Sequence, residues 1–283
     1  IQVASRLLAQ LLSLQAAFVA PEPEEQMSEL FVAPSSPVVK PAGSRWCRIW
    51  AVRRRLSGGA LPSESEENYL RALWKLSGEP RQWIATGKLA DRVGVSPPSA
   101  TRMAGRLGEQ GWVEHEPYRG VRLTDTGREL AVQTVRRHRI LESYIATILG
   151  VPWDRVDGEV ERLEHAVSEE LICRMEEALG FPSRDPHGSP IPDREGRLPG
   201  KVEEIILTEA PIAVELEVVR VIDALPDVLS WLGERGVTPG SRIIVEAREP
   251  GGGPLLLMPK ESERPVAISG SLAQSIEVRE VVS

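Results

Sequence analysis

At 283 residues the chain is too long for one ordinary domain, and 41% hydrophobic with 27% charged residues is the composition of a globular, water-soluble protein. No apolar run reaches the length of a membrane span, and a net charge of −7 argues against a chain given over to nucleic acid as a whole. The charge is uneven, however. Residues 81–140 carry 11 Lys/Arg against 6 Asp/Glu, so a basic module sits inside an acidic chain, as a DNA-binding domain with other domains attached would. Cys47 and Cys173 stand far apart without a C-x-x-C pattern, which suggests neither a disulfide framework nor a cysteine zinc site and fits a reducing cytoplasm.

Residues 1–57 form an N-terminal extension expected to be disordered. A short apolar patch, Leu-Leu-Ala-Gln-Leu-Leu, gives way to Pro/Glu/Ser-rich sequence, and only Arg6 precedes the patch, too little charge for a signal peptide. The basic run Arg48 to Arg55 reads as a solvated stretch. Gly58-Gly59 and Pro62 close the extension. Ser63 or Ser65 can cap a helix marked by Tyr69, Leu70, Leu73, Trp74 and Leu76. A short helix from Ile84 to Val93 and a turn at Gly94 come next.

Ser96 followed by Pro97 starts another helix: an N-cap hydroxyl, then a proline where the missing N–H costs nothing. Ala100, Met103, Ala104 and Leu107 should face the core, which leaves Ser96, Pro98, Ser99, Arg102 and Arg106 outside. Gly111 to Thr124 reads as a hairpin with Tyr118-Arg119-Gly120 at its tip. Helix, helix, turn, helix, hairpin is the winged helix-turn-helix order. Its second turn helix enters the major groove and its wing meets the phosphate backbone. Arg102 is the expected base reader, because a guanidinium bonds guanine bidentately, while Ser96, Ser99, Arg106 and Arg119 hold phosphates and so fix register, with Pro98 on the same DNA-binding face.

Asp125 to Leu149 reads as a long helix and Pro152 to Leu179 as a second. In the first, His138 and Glu142 are four residues apart. In the second, Asp157, Glu161, Glu164 and His165 fall on one stripe, with Val160, Leu163 and Val167 on the packing side. Carboxylates and imidazoles converging at helical spacing can hold a divalent ion; the bland alternative is a set of surface ion pairs with Arg139 and Arg162. The apolar faces around Ile140 to Ile148 and Leu171 to Leu179 suit a homodimer, and a reader of palindromic DNA needs a two-fold axis. Residues 181–200 are a Pro/Gly loop in which His187 is expected to face solvent. From Val202 short alternating strands, with a helix from about Asp227 to Glu234, describe a small β-barrel.

Several of these motifs together resemble the diphtheria toxin repressor family of metal-dependent transcription regulators, including its manganese-responsive members. They are Glu67-Asn-Tyr-Leu-Arg71, Ser96-x-Pro98, Leu123-Thr-x-x-Gly127, His138-x-x-x-Glu142, Glu161-x-x-Glu164-His165, and Ser183-Arg-Asp-Pro-His-Gly-Ser-Pro-Ile-Pro192. The resemblance runs from about residue 61 to the end. It implies a multidomain α+β protein: a winged helix-turn-helix over 58–134, a helical metal-binding and dimerisation domain over 135–196, and an SH3-like β-barrel over 197–283. It also implies a primary metal site from Glu161, Glu164, His165 and Asn68, and an ancillary site from His138, Glu142, Asp157 and Asp227. The pattern departs from iron-responsive members, which carry Cys where Glu161 stands and Met where Asn68 stands, and from manganese-responsive members, which usually carry Asp at the latter position. Asp157 replaces a histidine, and Ala224 occupies a second ligand position. A primary shell without sulfur favours Mn2+ over Fe2+. The expected function is a cytoplasmic, manganese-responsive dimeric repressor of metal-uptake genes on double-stranded DNA. An iron-responsive repressor, a metal-dependent hydrolase and a metal-blind regulator are the alternatives.

Overall fold

The computed structural model describes residues 61–77, 82–199, 203–222, 224–261 and 264–281. The expectations for the extension 1–57, the run Arg48 to Arg55 and Cys47 lie outside these residues. Helix α1 spans Glu64–Leu76, its start tied by Glu66 Oε2, which accepts the Ser63 N–H at 2.7 Å. Tyr69, Leu70, Ala72 and Leu73 are its buried face. Ile84 does not open the next helix as expected: its backbone exchanges two hydrogen bonds with Val121, of 2.8 and 2.9 Å, and α2 begins at Thr86 and runs to Val93. Gly94 ends α2 at φ +73°, a left-handed cap that suits glycine.

Helix α3, Pro97–Glu109, buries Ala100, Ala104 and Leu107. Strands β1 (Val113–Glu116) and β2 (Gly120–Leu123) pair antiparallel as the wing, with Tyr118 fully exposed at the tip. Leu70, Leu73, Leu89, Leu107, Trp112 and Val121 share one core with these elements. Helix α4, Asp125–Thr147, serves two cores: Ala131 belongs to the first, whereas Ile140, Leu141 and Ile145 form a second with Val156, Val160 and Ile172.

The expected continuous helix from Pro152 to Leu179 is broken. Helix α5 covers Val156–Leu163 and α6 covers Glu169–Ala178. Ser168 causes the restart: it sits extended, and its side chain accepts the Leu171 N–H. The single stripe read from the sequence is therefore divided between a helix and a turn.

The C-terminal part carries β3 (Ile205–Ile206), β4 (Glu215–Val221), helix α7 (Pro226–Gly233), β5 (Arg242–Arg248), β6 (Leu255–Pro259), β7 (Val266–Ile268), helix α8 (Gly270–Ala273) and β8 (Ile276–Glu280). The strands form one antiparallel sheet in the order β3-β8-β4-β5-β6-β7. This corrects the closed barrel expected from the sequence. The edge strands are two and three residues long, too short to share a closing ladder. Leu216, Val218, Leu232, Ile243, Val245 and Leu257 fill the core of this sheet, and Trp153, from the turn before α5, packs against it.

Candidate metal centre

Two polar clusters meet at α4. In the first, His138 and Glu142 occupy successive turns and are both buried, with His138 Nε2 3.3 Å from Glu142 Oε1. Asp157, in the first turn of α5, comes to 3.5 Å from the same nitrogen. The loop after α6 completes the group. Asp185 Oδ1 accepts the N–H groups of His187 and Ser189 at 2.9 and 2.8 Å, which curls the loop inward. Gly188 has φ +84°, and a Cβ there would lie 1.9 Å from the Val219 carbonyl oxygen, so only glycine lets the loop rest on β4.

His187 is thereby buried, not solvent-facing as expected from a Pro/Gly loop. Its Nε2 lies 2.8 Å from the Trp153 carbonyl oxygen, which can only accept. Nε2 is therefore the donor, and Nδ1 is left facing Glu142 Oε1 at 3.5 Å. Asp185-x-His187-Gly188 was visible in the sequence as part of the Ser183 to Pro192 motif but not as a member of this cluster, because its orientation depends on Trp153 and β4, far off in the chain.

Ligand atoms of His138, Glu142 and Asp157 lie within 4.8 Å of one another, as do those of Glu142, Asp185 and His187. Glu142 joins the two triads. They open on a cavity of about 60 Å³ that Lys75, Val221, Ala224 and Leu229 also line. Asp227 is exposed in the first turn of α7 and is not part of that lining.

Without an ion, protons on the imidazoles balance the carboxylates of this cluster. Burial disfavours the charged form of His138, but the charge of Glu142 and the hydrogen bonds that the ring donates to Asp157, Glu142 and Glu164 outweigh it and push the imidazole up to about 10. Burial likewise works against His187, and Glu142, Asp185 and Asp157 push it up to about 9. Asp185 is raised to about 7, by burial first and by Glu142 second. Burial also opposes the charge of Glu142, yet His138 and His187 hold its carboxyl well below the usual range. Glu142 Oε2 is buried without a hydrogen-bond partner. An orphaned carboxylate oxygen beside two imidazoles and two more carboxylates fits a divalent ion, whose binding would displace the imidazole protons.

The second cluster surrounds Glu164 and His165, in the turn between α5 and α6. Glu164 is 2% exposed and takes Arg71 Nη1 on both oxygens at 3.0 Å, with His138 Nδ1 at 2.7 Å from Oε2. Burial disfavours its charge, but His138, Arg71 and His165 keep its carboxyl below the ordinary value. His165 reaches Glu164 with Nε2 at 3.3 Å and Glu67 with Nδ1 at 2.9 Å. Glu67 also meets Arg137, which bonds Glu169 at 2.7 Å. Asn68 is joined to this group by the bond from Arg71 Nη2 to its Oδ1, at 3.0 Å. Glu161 is exposed and belongs to neither of the triads found among the described residues.

The residues expected to meet DNA lie on α3 and the wing, and Ser99, Arg102 and Arg106 line a cavity together with Asn68. Ser96, Pro98, Arg102, Arg106 and Arg119 are exposed and Ser99 is half-buried. The Ser96 hydroxyl meets that of Ser99 at 2.9 Å rather than capping the backbone of α3. Arg102 donates to Ser99 at 3.0 Å, and Arg106 pairs with buried Glu66 of α1 at 2.9 Å. On the wing, the guanidiniums of Arg119 and Arg122 lie 4.4 and 4.6 Å from the Trp83 ring centroid. Each such contact contributes roughly 0.5–1 kcal/mol at exposed sites. Trp83→Leu is expected to weaken operator binding on the order of fivefold, with Trp83→Phe in between. Fluorescence anisotropy of a labelled duplex checks this, and equal affinities would remove Trp83 from the wing's function.

Three family models match in succession: "Iron dependent repressor, N-terminal DNA binding domain" over residues 63–121, "Iron dependent repressor, metal binding and dimerisation domain" over 124–193, and the FeoA domain over 205–280. A solved manganese-dependent transcriptional repressor in complex with manganese is 36% identical, at TM-score 0.69 over 76% of this chain and 100% of that one. The chain belongs to the diphtheria toxin repressor family. The iron-dependent repressor IdeR of Mycobacterium tuberculosis is 29% identical over 229 residues, 77% of this chain and 98% of that protein. The diphtheria toxin repressor of Corynebacterium diphtheriae is 26% identical over 227 residues, 77% of this chain and 98% of that protein. ScaR with bound Zn2+ superposes at TM-score 0.65 with 28% identity, over 78% of this chain and 100% of that one.

This is thus a metal-dependent DNA-binding repressor family, whose members carry a DNA-binding and a dimerisation domain. These relatives are repressors, not enzymes. Among the described residues, no helix is long and apolar enough to cross a membrane.

Proposed function

We propose that this family member is a manganese-responsive repressor of metal-uptake genes that binds a palindromic operator as a homodimer. The observation that carries the reading is Glu142, buried between two triads of oxygen and nitrogen ligands with one oxygen left without a partner. His138, Glu142, Asp157, Asp185 and His187 would hold one ion; Glu164, His165 and Asn68, with Glu161 swinging in from the surface, would hold the other. Neither set contains sulfur, so both suit a hard ion such as Mn2+ better than a thiolate-bearing site would. Fe2+ is the second reading, because the matching domain models and IdeR bear iron in their names.

A bound ion supplies positive charge that draws carboxylates of different elements together. The chain's own residues translate that into DNA geometry. Helix α1 faces Glu164 and His165 through Glu67 and Arg71, and it holds the recognition helix through Glu66 and Arg106. Leu163 and Leu171, 42% and 46% exposed, give the helical domain an apolar surface for its two-fold partner. Ordering α1 against that domain sets two recognition helices about 34 Å apart, one turn of DNA.

Operator affinity is expected to rise roughly 5- to 150-fold on adding Mn2+, the usual span of such coupling. Glu164→Ala is expected to abolish the rise. Equal affinity with Mn2+, without it, and in the variant would refute the switch, and the same titration with Fe2+ under reducing, oxygen-free conditions ranks the two metals.

A further inference from the structure

The two clusters differ in one respect. Glu142 keeps an oxygen without a partner, whereas the ligand oxygens of Glu164 and Asn68 are already taken, and by the same residue. Arg71 lies on α1, one turn beyond Asn68, with its side chain 14% exposed. Its Nη1 donates to both oxygens of Glu164 at 3.0 Å and stands 2.7 Å from His138 Nδ1. Its Nη2 donates to Asn68 Oδ1, the one atom an asparagine offers to a hard cation. A guanidinium is always charged and forks in a plane, so it satisfies a carboxylate and an amide oxygen at once.

We propose that Arg71 is a built-in stand-in for the primary-site ion: it holds Glu164 and Asn68 in the metal-free chain and sets the metal concentration at which they let go. This rests on reading Glu164, His165 and Asn68 as ion ligands. A guanidinium and a divalent ion compete for the same two oxygens of Glu164 and repel each other across them. Arg71 therefore gives way as the ion enters; α1 is exposed at Lys75, one turn beyond it, and at Glu64. Metal-free, the fork ties α1 to the turn before α6; loaded, the ion makes that tie. The affinity observed for the ion is then its intrinsic affinity reduced by what Arg71 contributed. Arg71 also touches His138, so the stand-in sits where both ion sites would feel it.

Calorimetric titration of the dialysed full chain with Mn2+ tests the idea on wild type, Glu164→Gln, Arg71→Gln and Arg71→Lys. Loss of one bound Mn2+ in Glu164→Gln establishes the ligand role of Glu164; an unchanged number overturns that assignment, and the stand-in with it. With the assignment standing, Arg71→Gln is expected to bind that ion on the order of tenfold more tightly. Without metal it is expected to melt below wild type, with the gap closing at saturating Mn2+. Arg71→Lys keeps a charge but loses the fork, and is expected to bind about threefold more tightly. Unchanged or weaker binding in Arg71→Gln overturns the proposal and makes Arg71 a scaffold of the site. If the glutamine variant does not fold, the lysine variant decides by the same sign.

Discussion

Glu142→Gln is expected to remove one of the tightly bound ions, weakening that site by at least on the order of 100-fold. The amide preserves the shape and one acceptor but loses the charge that both triads share. Glu142 is the only residue common to the two groups of ligand atoms found among the described residues, so its loss takes a ligand from both triads of the one proposed ion. It is also the principal charge that keeps His138 and His187 protonated. The variant should therefore shift the two imidazoles toward their neutral forms, which proton NMR of the ring resonances would follow. Metal analysis after dialysis against limiting Mn2+ gives the stoichiometry. An unchanged count would mean that the orphaned oxygen of Glu142 faces a water rather than an ion.

Gly127→Ala is expected to destabilise the DNA-binding unit by about 3 kcal/mol, against a helix-propensity gain of about 1 kcal/mol. A Cβ at this position would lie 1.8 Å from the Trp112 carbonyl oxygen and 2.7 Å from its carbon, both backbone atoms that cannot rotate away. The same carbonyl accepts the Thr124 N–H at 3.1 Å, and the Thr124 side chain caps α4 at the Gly127 N–H. Relieving the clash must therefore loosen the joint between wing and long helix. Thermal unfolding should fall by on the order of 10 °C, and operator affinity should fall with it. A melting point equal to wild type would show that the helix start shifts freely.

Much of the DNA-binding unit was legible because each of its elements announces itself locally. Ala100, Ala104 and Leu107 repeat at the helical period, Gly94 marks the turn, and Tyr118 sits at a hairpin tip. Helix α5 was misread for a physical reason. Val160, Leu163, Val167 and Leu171 continue one apolar period straight through the break, and only the cap at Ser168 distinguishes two helices from one. The open sheet was read as closed because alternation along a strand is the same whether or not the edge strands meet. At the metal centre, pairs made within one helix could be read from spacing, as His138 and Glu142 were. The contributions of Asp185, His187, Glu67 and Arg71 could not, since each depends on an element tens of residues away. Glu161 shares the helical spacing of Glu164 yet is exposed where Glu164 is buried, a difference that spacing alone does not carry.

Trp153 connects the sheet to the proposed ion ligands in an unequal way. Its indole belongs to the core of the C-terminal sheet, while its carbonyl fixes the ring of His187, whose own carbonyl accepts the Val221 N–H of β4 at 2.9 Å. The third domain is on this account no detachable appendage. A chain truncated after the Pro/Gly loop would keep His138, Glu142, Asp157, Asp185 and His187 in its sequence and still lose the bracing that aims one of them.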